Sequence, residues 1–137
     1  MDVTPRPLVL VIEDDQAARK LYAETLRQGG LDVAEAHNGL QAAEKARELL
    51  PDVIVTDLGL PGIDGYELTR RLHQDSRTDR IPIVAITGRY FSAADIARAR
   101  REGCYSVLIK PFVGDDLIAE VRRVLGTSRE AQRETHG

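Results

Sequence analysis

Cysteine is almost missing: Cys104 stands alone in 137 residues, so no internal disulfide can form. Long apolar runs are missing too. None exceeds about five residues, against the roughly 20 needed to cross a bilayer, so a membrane span is excluded. The opening Met-Asp-Val-Thr-Pro-Arg-Pro lacks the apolar segment of a signal peptide. With the single thiol, this sets a reducing cytoplasm as the expected location. No excess of charge exists either: 19 basic residues face 22 acidic ones, net −3. No global field would draw the chain to nucleic acid or to an anionic membrane. His37, His73 and His136 are scattered without ligand spacing and are expected on the surface. Cys104 is expected to be a small buried side chain without a chemical role.

What is present is a regular alternation. The length suits one domain with one core. Leu8 to Ile12 forms a first apolar run, followed by Ala18, Leu21, Tyr22, Thr25 and Leu26 at helical steps and then Gly29-Gly30. Leu31 to Ala36 alternates, Asn38-Gly39 turns, and a second helix is expected with Leu40, Ala43, Ala46, Leu49 and Leu50 on one side, stopped by Pro51-Asp52. Val53-Ile54-Val55 is β-branched throughout, as in a central strand covered on both faces. Turn chemistry from Leu58 to Gly65 leads to a helix with Tyr66, Leu68 and Leu72. Ile81 to Ile86 is a fourth strand, and Ser92 with Asp95 resembles a capping box opening a helix that ends at Gly103. Ser106 to Ile109 is a fifth strand, and a last helix carries Leu117, Ile118, Val121, Val124 and Leu125. The order is five βα units. It predicts an α/β fold with a five-stranded parallel sheet, doubly wound, helices on both faces. The domain is expected over residues 7–126. The polar segment 127–137 is expected to be frayed, or a docking tail.

Four of the apolar runs end on polar residues: Glu13-Asp14-Asp15, Asp57, Thr87 and Lys110. In an open parallel sheet those endings share the carboxyl edge, where ligands bind. A carboxylate there can attack phosphorus if nearby charge is neutralised, and Asp57, on the central strand, is the expected nucleophile. Glu13 and Asp14 beside it would repel by about 4 kcal/mol per pair at 4 Å and intermediate dielectric. A cation must offset that, and an all-oxygen, water-exposed site suits Mg²⁺. Asp14 and Asp57 are assigned as direct ligands, Glu13 as a ligand through water, and Gly59 as a backbone carbonyl donor. Lys110 and Thr87 would engage the new phosphoryl group. Because that contact exists only after phosphorylation, both also act as switch parts. Asp15 is expected to cap the first helix.

Val11-Ile12-Glu13-Asp14-Asp15, Thr56-Asp57 through Gly65, Ala85-Ile86-Thr87-Gly88 and Ile109-Lys110-Pro111-Phe112 together resemble a response-regulator receiver domain of the bacterial two-component type. The resemblance is to a stand-alone, chemotaxis-type receiver with a flavodoxin-like fold. It implies phosphotransfer from a histidine kinase to Asp57 with Mg²⁺, a cis Lys110-Pro111 bond, and output through protein contact or onward transfer to a histidine phosphotransfer protein. In the family, the positions of Gly59 and Arg89 tune dephosphorylation. Receivers also carry an aromatic ring three residues before the lysine, and here that position is Val107. Tyr105, on the same strand face, and Tyr90, after Thr87, are the substitutes. Arg98, Arg100, Arg101, Arg122 and Arg123 are either solvated or part of a partner surface. Two rival readings are a pseudo-receiver that binds without being phosphorylated and a haloacid-dehalogenase-like phosphohydrolase. The latter places a second Asp two residues after its nucleophile, where this chain has Gly59.

Overall fold

The computed structural model describes residues 5–88 and 92–136, with side chains described through residue 127. The elements alternate as expected: β1 (Leu8–Ile12), α1 (Gln16–Gln28), β2 (Asp32–Ala36), α2 (Gly39–Leu49), β3 (Val53–Asp57), α3 (Gly65–Gln74), β4 (Ile83–Thr87), α4 (Ala93–Glu102), β5 (Ser106–Ile109) and α5 (Gly114–His136). All strands are parallel, in the order β2-β1-β3-β4-β5. The order reverses between β1 and β3, which is where an open α/β sheet leaves a crevice at its carboxyl edge.

Side-chain alternation divides the core between the two sheet faces. Leu10, Ile12, Ile54, Ile83 and Ala85 meet α2, α3 and α4, while Val9, Val11, Val53, Val55, Val84 and Ile86 meet α1 and α5. Strands buried on both faces have no polar side to show, so β1, β3 and β4 read as continuous apolar runs. Burying each large side chain contributes roughly 1.5–3 kcal/mol.

Local capping matches the sequence. Asp15 Oδ2 accepts from the Ala18 amide at 2.9 Å, and Ser92 and Asp95 form a reciprocal capping box at α4. Lys110–Pro111 is cis.

One expectation is corrected. Leu40 and Leu49 on α2, and Leu50 just after it, are exposed, at 63, 43 and 56%, and the inward face is Gly39, Ala42, Ala43 and Ala46. Small residues let this helix lie close to its neighbours: a Cβ on Gly39 would stand 3.0 Å from Ile63. Periodicity picked Ala43 and Ala46 rightly and the large leucines wrongly, because close approach admits only the small ones. The segment after Gly126 lies within α5, which runs to His136. Its apolar stripe is lost, but Arg, Glu, Ala and Gln are strong helix formers, and propensity favours extension where packing no longer votes. The Thr127 hydroxyl bonds back to the Arg123 carbonyl at 3.0 Å.

Candidate functional site

The polar strand endings converge at the carboxyl edge between β1, β3, β4 and β5. Lys110 Nζ donates to Asp57 Oδ2 at 3.0 Å, and the Gly59 amide donates to Asp57 Oδ1 at 2.7 Å. Lys110 is carried there by register, since Thr87 pairs with Ile109 and the Lys110 amide donates to the Thr87 carbonyl at 2.7 Å. Asp57 ends β3 opposite Ile86, one residue short of Thr87.

Glu13 is buried, 4% exposed, immediately after β1. Its Oε1 accepts from the Asp15 amide at 3.3 Å, and its Oε2 is buried with no hydrogen-bond partner among the described residues. Burial, followed by the neighbouring Asp57 carboxylate, raises the Glu13 carboxyl from 4.5 to about 7. For Asp57, burial works to raise the carboxyl. The neighbouring Glu13 side chain and the hydrogen bonds donated by the Gly59 amide and Lys110 outweigh it, and the pKa falls below the usual value. Burial likewise opposes the Lys110 charge, but its bond to Asp57 and that carboxylate's charge prevail and hold the ammonium above its ordinary pKa. The two acids are thus pushed apart, one toward proton retention and one toward permanent charge.

Thr87 is 1% exposed, and its hydroxyl has no partner among the described residues. Leaving a buried hydroxyl unpaired costs about 1–3 kcal/mol. Together with the orphaned Glu13 oxygen, it marks a place prepared for groups that arrive from outside. An anion beside Lys110 would satisfy Thr87, and a cation beside Asp57 would satisfy Glu13. The donor set is wholly oxygen, so the residues present fit a hard divalent cation. Asp14, next in the chain, is solvent-exposed. Among the described residues no three His, Cys, Asp or Glu side chains are gathered closely enough to hold a metal by themselves. Mg²⁺ requires no such cage, because it retains waters and takes one or two carboxylates.

Three residues to which the sequence reading gave no role in the site shape it. Gly65 lies against the Asp57–Leu58 peptide: a Cβ there would stand 2.6 Å from both the Asp57 carbonyl oxygen and the Leu58 Cα. Tyr22, on α1, stacks on Phe112 with ring centroids 5.8 Å apart, next to the cis Lys110–Pro111 pair in the chain. Arg19 Nη1 donates to the Glu13 carbonyl at 2.9 Å. Only the tight Gly65-Tyr66 start of α3 was visible in the sequence, as turn chemistry. The other two depend on contacts between elements.

Val107 is half-buried against the α2–α4 side of the core, whereas Tyr105 precedes β5 and is 42% exposed. On that same side Tyr66 is buried under the Arg98 guanidinium, 4.1 Å from the ring centroid, so Arg98 is not simply solvated. Arg123 pairs with Glu120, and Arg122 donates to the Gly29 carbonyl. Arg89 and Tyr90 lie outside the described residues. Cys104 is buried, and burial pushes its thiol upward. His37 and His73 are exposed, with His73 Nε2 2.8 Å from the Gly103 carbonyl. Among the described residues no helix is long and apolar enough to cross a membrane.

Comparisons with known proteins agree with this geometry. The family model for the response regulator receiver domain matches residues 9–122. The polar-differentiation response regulator DivK of Brucella anthropi is 32% identical over 118 residues, covering 86% of this chain and 95% of DivK. The transcriptional regulatory protein AfsQ1 of Streptomyces coelicolor is 39% identical over 129 residues, covering 94% of this chain but only 54% of AfsQ1. Among solved structures, the chemotaxis protein CheY4 of Vibrio cholerae superposes with a TM-score of 0.83 at 27% identity, covering 88% of this chain and 99% of that one.

Proposed function

This chain belongs to the response-regulator receiver domain family, and from that premise we propose that it is a phosphoacceptor switch in two-component signalling, modified at Asp57. The observation that carries this reading is the Asp57–Lys110 ion pair flanked by two buried, unpartnered oxygens, Glu13 Oε2 and Thr87 Oγ1.

Receiver domains exchange phosphoryl groups with histidine kinases or phosphotransfer proteins, and for this chain the steps follow from its own side chains. An Asp57 carboxylate oxygen attacks the phosphorus of a phosphohistidine, the P–N bond breaks, and the imidazole leaves and takes up a proton. The lowered Asp57 pKa keeps the nucleophile ionised. The Gly59 amide holds Oδ1, and Lys110 follows the charge from Oδ2 onto a phosphoryl oxygen. Glu13 and Asp14, with Asp57 and the Gly59 carbonyl, would hold Mg²⁺, which neutralises charge and orients the phosphoryl oxygens when bound. Thr87 gains its missing partner only in the phosphorylated state. That difference between states is what biases the surface toward a protein partner or onward phosphotransfer. The setting is the cytoplasm, where such kinases present their phosphohistidine.

A phosphohydrolase cycle is disfavoured by position 59. It offers no carboxyl group, and its amide is already committed to Asp57. Incubation with acetyl phosphate and Mg²⁺ should add one hydroxylamine-labile phosphoryl group, seen by intact mass. No adduct, or an adduct that persists in Asp57→Ala, would overturn the reading.

A further inference from the structure

Glu13 emerges from β1 held at both of its backbone polar groups. Its amide donates to the Ala36 carbonyl at 3.1 Å, at the end of β2, and its carbonyl accepts from Arg19 Nη1 at 2.9 Å. Arg19 lies six residues on, inside α1, so its guanidinium must fold back over the strand end to make this contact. Glu35 fixes it there: Arg19 Nε is 3.3 Å from Glu35 Oε1, and the second Glu35 oxygen is 3.5 Å from Arg27 Nη2. Arg27 Nη2 also donates to the Val33 carbonyl at 3.3 Å. The Arg19 side chain is only 15% exposed, so this contact is sheltered from water rather than a loose surface pairing.

A peptide group is planar, so holding the Glu13 carbonyl as well as its amide restrains the Glu13 backbone and the Glu13–Asp14 amide plane, and with them the two Cα positions from which the carboxylates project. We propose, building on the reading of Glu13 and Asp14 as cation ligands, that Arg19 is a positioning residue for the Mg²⁺ site and that Glu35 acts through it. Groups that orient ligands from outside the coordination shell are typically worth about 10–100-fold in metal affinity.

The sign of the effect separates this role from its competitors. Arg19 is a positive charge near a cation site, so by Coulomb's law alone its removal would tighten Mg²⁺ binding. A purely structural residue would change stability and leave affinity alone. Loss of positioning weakens binding. Arginine's rigid fork can serve the Glu13 carbonyl and the Glu35 carboxylate together, whereas a lysine is a single point donor. Arg19→Lys should therefore keep the charge and still bind more weakly.

The test is calorimetric titration of the full chain with MgCl₂, without phosphodonor, after thermal melting establishes that each variant is folded. Arg19→Met is expected to weaken Mg²⁺ binding by about tenfold or more. Arg19→Lys and Glu35→Gln should fall between it and the unmodified chain, and Glu35→Gln should add nothing in the Arg19→Met background. Affinity in Arg19→Met equal to or tighter than that of the unmodified chain overturns the proposal, as does an additive effect of Glu35→Gln. Should Arg19→Met not fold, unaltered affinity in both Arg19→Lys and Glu35→Gln overturns it instead. Absence of any Mg²⁺ binding by the unmodified chain refutes the cation-site reading itself.

Discussion

Replacing Glu13 with glutamine should make the metal-free fold increasingly more stable than the unmodified chain as pH rises, because it removes a buried group that must otherwise lose its proton. Glu13 is raised from 4.5 to about 7 by burial and by Asp57, so between those values the folded chain holds a proton that the unfolded chain has released. Stability then falls as pH rises, because the folded state binds more protons than the unfolded one. At about 1.4 kcal/mol per unit, the loss accumulated between pH 4.5 and 7 is about 3 kcal/mol. Asp57 does not blur this window. Its pKa is lowered from 3.8, so its own contribution is complete below the range in which Glu13 titrates. The raised Lys110 pKa acts far above the window. Urea unfolding of the metal-free protein in EDTA, from pH 4.5 to 8, should show the unmodified chain losing stability relative to Glu13→Gln. Excess Mg²⁺ at pH 7.5 should restore much of the difference, since a cation replaces the missing proton. A difference between the two chains that stays constant with pH, or that moves in favour of the unmodified chain as pH rises, would refute the reasoning.

Gly65→Ala should cost about 1–3 kcal/mol, because the new methyl meets the Asp57 and Leu58 backbone at 2.6 Å rather than a flexible side chain. It should also slow labelling by acetyl phosphate, and unchanged values in both urea unfolding and labelling would count against the close-approach argument. Thr87→Val should be neutral or stabilising in the unphosphorylated protein, since the hydroxyl it removes is buried and unpaired. The same variant should still be phosphorylated while losing most of the phosphorylation-dependent change in amide exchange, and an undiminished change would remove Thr87 from the switch.

Much of the site was legible in advance because it is built from strand endings. Once Leu8–Ile12, Val53–Thr56, Ile83–Ile86 and Val107–Ile109 were read as parallel strands, topology required their terminal residues to meet. Helix caps were equally legible, because Asp15 and Ser92 act on amides three residues away. The α2 surface was not. Apolar spacing selected Ala43 and Ala46 rightly but added Leu40, Leu49 and Leu50, whereas the packed face is completed by Gly39 and Ala42.

By itself, the sequence determined everything that depends on neighbours along the chain: the βα alternation, the caps, the turns, and which polar residue terminates each strand. Tertiary structure alone decided what depends on juxtaposition. It set the 3.0 Å contact of Lys110 with Asp57, where strand order had only required them to be near, buried Glu13 far enough to raise its pKa, and folded Arg19 back onto the Glu13 carbonyl. The physical reason is that propensity and periodicity act over a few residues, whereas desolvation, charge coupling and close packing depend on distances in space that no spacing in the chain encodes.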